Sequence, residues 1–170
     1  YQLNESSEAT KYFQSILDQN PNHEDSWNYL GLIHHENDDN REAERCFNCA
    51  LQANQDCVEA HINLGNLQAE MQLFEQAQDH LLTARDLDPE NTDVLFNLAI
   101  LFQNQDQVET AIDYYQSVLE LQPHHLDSHN NLGLLYEVQA DQHQALISYQ
   151  KAIAIDPGYP NAWFNLGNLY

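Results

Sequence analysis

Read in steps of 34 residues, this chain aligns with itself without one insertion or deletion. One column is Ala9, Ala43, Ala77, Ala111, Ala145, and four residues later comes Phe13, Phe47, Leu81, Tyr115, Tyr149. Another is Leu30, Leu64, Leu98, Leu132, Leu166, each followed by a small residue: Gly31, Gly65, Ala99, Gly133, Gly167. Near each junction stands Pro21, Gln55, Pro89, Pro123 or Pro157. A period of this length constrains the fold more than any other feature. Each unit must make the same local structure and bury its apolar face on its neighbours. The 170 residues hold five such periods.

Each column has a mechanical meaning. The Gly or Ala after each Leu leaves room for a neighbouring helix, and the repeated Ala does the same on a second helix. The aromatic residue or Leu four positions after that Ala shares its helical face and fills the space between helices. Proline cannot extend the helix before it, so it ends the second helix of a pair. Two apolar-periodic stretches flank a polar turn such as Glu36-Asn37-Asp38-Asp39-Asn40. The pattern predicts helix, turn, helix, turn, repeated.

The residues that carry this pattern resemble the tetratricopeptide repeat (TPR): Trp-x2-Leu-Gly-x2-Tyr, then Ala-x3-Phe, then Pro. Trp27, Leu30 and Gly31 match the opening, as do Trp163, Leu166, Gly167 and Tyr170. Leu132, Gly133, Tyr136, Ala145, Tyr149 and Pro157 match nearly a whole repeat. His61 and His129 replace the Trp, His34 and Gln68 the Tyr, and Gln55 one Pro. The resemblance covers the whole chain. It implies an all-α fold, a right-handed α-solenoid of stacked antiparallel helix pairs. In that register residues 1–170 form a single array with full repeats at 24–57, 58–91, 92–125 and 126–159. Residues 1–23 form a half repeat whose second helix is expected around Glu5 to Gln19, and 160–170 form a half repeat with a first helix only. The chain reads as a fragment, starting at Tyr1 inside one first helix and stopping at Tyr170 inside another.

Composition removes several functions. The chain carries 27 Asp and Glu against 5 Lys and Arg, a formal charge of −22. That field repels phosphate backbones and anionic membrane surfaces, which argues against nucleic acid. With 42% hydrophobic residues the chain is nonetheless too apolar for an acidic disordered tail. No basic segment followed by an apolar run opens it, and Leu95 to Phe102 is too short to span a bilayer. Cys46, Cys49 and Cys57 make no disulfide framework, so the sequence reads as cytoplasmic.

The resemblance also implies that first helices line a concave groove. The column two residues before each Gly or Ala is then groove-facing: Tyr29, Asn63, Asn97, Asn131, Asn165. An amide both donates and accepts, so a ladder of them suits the backbone of an extended peptide. This column is similar to the asparagine ladder in the TPR superhelix of O-linked N-acetylglucosamine transferases; a plain polar surface column is the alternative. Four residues earlier stand Asp25, Glu59, Asp93, Asp127 and Asn161, where TPR domains that clamp an acidic C-terminus carry cations. Acids in a first turn also simply favour the helix dipole. Ile62, Phe96, Ile100, Leu134 and Phe164 are candidate apolar contacts for a ligand, or ordinary surface hydrophobes.

No catalytic constellation emerges. Cys46, Cys49, Cys57 and His61 have a formal zinc-ligand reading, but helical thiols and a packing histidine explain them better. Asp38-Asp39 lacks the Gly and distal Glu of a calcium loop. The sequence therefore reads as a non-catalytic scaffold, without cofactor or metal. It is expected to bind a neutral or basic protein segment through Asn63, Asn97, Asn131, Asn165, Tyr29, Phe96, Ile100 and Leu134. Two other readings stand beside it: the recognition arm of a larger enzyme such as a glycosyltransferase, and self-assembly of residues 160–170 on 5–19 of another copy.

Overall fold

A computed structural model describes the backbone of residues 2–170 and the side chains from residue 7 onward. Among the described residues all regular structure is α-helical, as the period predicts. The chain groups into two compact units that meet in sequence at Pro89 and Glu90. The first holds α1 (Gln2–Gln19), α2 (Glu24–Glu36), α3 (Asn40–Ala53), α4 (Val58–Glu70) and α5 (Phe74–Leu87). The second holds α6 (Thr92–Asn104), α7 (Val108–Leu121), α8 (Leu126–Val138), α9 (Gln142–Ile155) and α10 (Pro160–Leu169). In the first unit α2 packs on α3 and α4 on α5, with α1 against α2 and α3 against α4. The second unit repeats the scheme: α6 on α7, α8 on α9, α7 against α8, and α10 on α9. No helix among the described residues is long and apolar enough to cross a membrane.

Helix bounds follow the 34-residue register, with one exception. The first segment was expected to begin near Glu5, but α1 runs unbroken from Gln2 through Asn4, where the register places a turn. The expected first-helix remnant at Tyr1 lies outside the described residues.

The turn inside each repeat has one geometry. Asp38, Gln72, Asp106 and Ala140, spaced by the repeat, all have φ between 57 and 62°. After α2 the Asp39 N–H donates to the His34 carbonyl and Asp38 N–H to His35, closing the last helical turn. The same pair of bonds recurs at Leu73 and Gln72, at Gln107 and Asp106, and at Asp141 and Ala140. Left-handed backbone suits glycine and strains other residues. None of these four positions holds glycine, a feature that the periodic columns do not reveal.

Between repeats, the Trp and His members of one column share a chemistry that Leu95, in the same column, lacks. The indole N–H of Trp27 donates to the Pro21 carbonyl at 2.8 Å, and that of Trp163 to Pro157 at 2.9 Å. His61 and His129 place Nε2 3.0 Å from the Gln55 and Pro123 carbonyls. A carbonyl only accepts, so each imidazole donates from Nε2. Histidine thus keeps the ring N–H that ties a first helix to the preceding junction.

The core lies between the two helices of each repeat. Ala43, Phe47 and Leu64 with Leu67 make one buried cluster of the first unit. Ala77, Ala111 and Ala145 are likewise buried, as are Leu81, Tyr115 and Tyr149. A Cβ on Gly31 would overlap the Phe47 ring, and one on Gly133 the Tyr149 ring; at Gly65 it would lie 2.8 Å from Leu81 Cγ. The glycines are therefore required by close approach of the second helix. Gly167 has open space around it.

Candidate functional site

First helices present the candidate groove residues, and each helix start is set locally. His23 caps α2: its Nδ1 accepts from the Ser26 N–H at 3.2 Å and faces the Ser26 hydroxyl at 3.0 Å. His125 caps α8 in the same way, through Ser128 at 3.2 and 2.9 Å. Ser26 and Ser128 are fully buried, so each hydroxyl needs its histidine partner. Asn91 caps α6 through the N–H groups of Asp93 and Val94. The His-x2-Ser spacing of these pairs is that of a capping side chain and a first-turn N–H, a signal present in the sequence.

In the first unit Tyr29 projects from α2, about half exposed, and stacks on Phe13 of α1 with ring centres 5.1 Å apart. Asn63 of α4 is half-buried, and its Nδ2 donates to Asn28 Oδ1 at 2.9 Å. Asn28, buried on α2, was not among the expected residues. The pair ties the first helices of two consecutive repeats together.

The second unit places Phe96, Asn97 and Ile100 on α6, Asn131 and Leu134 on α8, and Asn165 on α10, all half-buried. Their partners differ. Asn165 Nδ2 donates to Asn130 Oδ1 at 3.0 Å, repeating the Asn63–Asn28 bond. Asn131 Nδ2 donates to the Tyr115 hydroxyl at 3.0 Å, and that hydroxyl donates to Gln103 Oε1 at 2.8 Å. Burial pushes the Tyr115 phenol up to about 12, against the opposing bond from Asn131. Phe96 packs on Tyr115 and His125, with ring centres 5.6 and 4.8 Å away. Asn97 hydrogen-bonds to no other side chain among the described residues. One sequence column therefore splits into amides that fasten repeats together and an amide with its full capacity in hand.

Acidic side chains surround these positions. Asp25, Glu59, Asp93 and Asp127 are exposed in the first turns of α2, α4, α6 and α8. Asp127 accepts a hydrogen bond from the Tyr159 hydroxyl at 2.7 Å. At the far end of α8, Glu137 accepts one from the Tyr149 hydroxyl. Each unit thus offers amide and carboxylate groups along its first helices, with few cations to offset them.

The formal zinc set does not converge. No three or more His, Cys, Asp or Glu among the described residues are placed to hold a metal. Burial pushes the Cys46 thiol up to about 11, helped by Cys49, and burial raises Cys57 as well. Cys57 directs its thiol toward Glu59, 3.9 Å away. His61 instead pairs with His80, Nδ1 to Nδ1 at 3.0 Å. Because His61 donates from Nε2 to a carbonyl, its Nδ1 accepts and His80 donates. Burial, then the neighbouring His61, lowers the His80 pKa below 6.5.

Paired helices with uniform turns define a class of proteins, the helical-repeat interaction modules. Within it the chain belongs to the tetratricopeptide repeat family, whose sequence patterns match residues 12–45 and 148–170, 36–91, and 90–158. No curated protein sequence compared with the chain matches it. Among solved structures it is similar to YrrB, a TPR protein described as having an unusual peptide-binding site. The identity is 23% and the TM-score 0.78, over 96% of this chain and 84% of that one. It is also similar to MamA, at 18% identity and TM-score 0.82 over 92% and 91% of the two chains. PilF of Pseudomonas aeruginosa is similar at 21% identity and TM-score 0.80, over 86% and 67%. At these identities the likeness is one of fold. TPR proteins are in general non-catalytic interaction modules.

Proposed function

We propose that the chain binds an extended segment of a partner protein along its first helices, amides holding the ligand backbone and carboxylates selecting neutral or basic sequences. The observation that carries this reading is Asn97, a half-buried amide on α6 with no side-chain partner. It is flanked by the apolar Phe96 and Ile100 and preceded by the exposed Asp93. A buried or half-buried amide that gains no internal bond is a poor packing choice, and it suits a ligand that brings its own donor and acceptor. Asn165 keeps its carbonyl oxygen after donating to Asn130, whereas the Asn131 oxygen has the Asn130 amide 3.5 Å away. The acids contribute steering and selection through their summed field. The likeness to a TPR protein with a peptide-binding site supports the same reading.

The test is selection from a random twelve-residue peptide library on the full chain. Enriched peptides are expected to be neutral or basic, and Asn97→Ala is expected to weaken them about tenfold, the scale of one lost hydrogen-bonded pair. Unchanged binding in a folded Asn97→Ala, Asn131→Ala double variant overturns the assignment.

A second reading rests on α10. Trp163, Phe164 and Tyr170 are 52, 69 and 89% exposed, an apolar surface at one end of the second unit. Self-association through this helix predicts a scattering mass that rises with concentration and stays monomeric in Phe164→Glu. On the α1 side of the expected contact, the side chains of residues 5 and 6 lie outside the described residues.

A further inference from the structure

The face of the second unit formed by its second helices holds a cleft that the peptide reading does not use. It lies between α7 and α9 beside the start of α8 and has a volume of about 690 Å³. Its apolar walls are Leu119 of α7 with Ala154 and Ile155 of α9. Its polar groups are Lys151 of α9, His124 and His129. A volume of this size falls within the usual range of small-ligand pockets, about 300–1,000 Å³.

Charge makes the cleft unlike the rest of the chain. Lys151 is the sole Lys or Arg from Glu90 to Tyr170. It forms no ion pair among the described residues, as is true of Lys11 and Arg41 but not of Arg45, which pairs with Glu42, or Arg85, which pairs with Asp86. The repeat register sharpens the contrast. Glu90 and Asp56 hold the positions equivalent to His124, and Ser117, Thr83 and Cys49 those equivalent to Lys151. Acids and neutral residues in the other repeats thus give way here to imidazole and ammonium around an apolar trough.

We infer that this cleft binds a small alkyl carboxylate, its chain lying on Leu119, Ala154 and Ile155 and its carboxylate meeting the Lys151 ammonium beside His124. An alkyl chain asks only for apolar contact, which the walls supply. A peptide would also need partners for each backbone N–H and carbonyl. The cleft has few to give: helix backbones are internally bonded, and the Pro123 carbonyl already accepts from His129. Polyanionic ligands are disfavoured by the chain's net charge of −22. A single carboxylate on an apolar stem is the chemistry that fits.

The experiment is calorimetric titration of the full chain with octanoate, and with octanol as the uncharged control. Lys151 is exposed, so Lys151→Glu leaves the fold intact, which circular dichroism verifies. Octanoate is expected to saturate one site at least tenfold more tightly than octanol. Lys151→Glu is expected to remove that advantage without changing octanol binding, and Ala154→Trp, which fills the trough, to abolish both. Absence of saturable octanoate binding overturns the inference, as does equal affinity for acid and alcohol or an unaffected Lys151→Glu. A short peptide ending in a free Leu carboxylate that binds more tightly than octanoate also overturns it, and reassigns the cleft to protein C-termini.

Discussion

Repeats 92–125 and 126–159 lie in the same unit and share one backbone plan, yet they use the same columns differently. In α8 both adjacent asparagines are engaged: Asn130 accepts from Asn165, and Asn131 donates to Tyr115. In α6 the same two positions hold Phe96, packed among aromatic rings, and Asn97, which has no side-chain partner. The small residue is Gly133 in α8 and Ala99 in α6. The second helix of one repeat is capped by Asp141, whose carboxylate accepts from the Gln144 N–H at 3.0 Å; Gln107 provides no such bond to the other. Position 129 is a histidine and position 95 a leucine. The lesson is that a shared fold fixes backbone geometry and leaves each repeat free to bond its polar positions internally or to leave them without a side-chain partner.

The contrast yields a ranked set of expectations. Gly133→Ala has the largest expected effect. The new methyl meets the Tyr149 ring, and Tyr149 is held by burial and by its bond to Glu137, so a loss of about 2–3 kcal/mol is expected by denaturant unfolding. A variant with wild-type stability would show that the ring gives way, as the neighbouring repeat tolerates Ala99.

Next come the asparagines. Asn130→Ala strands the Asn165 amide and removes an inter-helix bond, for about 1 kcal/mol. Asn97→Ala removes no internal side-chain bond and is expected to leave the melting temperature unchanged while weakening peptide binding. If both variants destabilise equally, the division between fastening and recognition amides fails.

Gln107→Asp should supply α7 with the cap that α9 already has, adding about 1 kcal/mol to stability. A change no larger than that of Gln107→Asn at the same site is compatible; a loss is not. The smallest effect concerns pH. Burial, chiefly, lowers the His129 pKa below its ordinary 6.5, with Lys151 and the neighbouring histidines acting in the same direction. The unfolded chain then binds a proton that the native state refuses. Stability from this group is complete above 6.5 and declines as pH falls from there toward the folded pKa. Between about pH 7.5 and about pH 5.5 the melting temperature should fall, and His129→Leu, borrowing the residue of α6, should reduce that fall. An unchanged slope places the titration elsewhere, with His80 the next group whose pKa is lowered.

Much of this was legible before any coordinate. The Ala, Leu, Gly and aromatic columns predicted paired helices, and α2 to α9 begin and end in that register while α10 begins in it. Periodicity reads well because packing between helices repeats, so the same positions need the same sizes. The site was less legible. Asn63, Asn97, Asn131 and Asn165 form one column, but what each amide bonds to depends on residues of other helices. Asn28 and Asn130, one repeat and one position earlier, supply acceptors to Asn63 and Asn165; Phe96, in that place before Asn131, has none to give, and Asn131 donates to Tyr115 instead. That relation spans 35 residues and two helices, outside any local motif. The capping roles of His23 and His125 likewise rest on partners, Ser26 and Ser128, whose burial the sequence does not display.

The sequence by itself determined the period, the helix pairs, the family and the net charge, because these follow from local geometry and composition. The tertiary structure alone decided which asparagine is spare and how four non-glycine residues accept left-handed backbone. It also decided where Lys151 finds an apolar trough beside it. Each depends on side chains brought together from separate helices, where distance and burial, rather than residue type, set the chemistry.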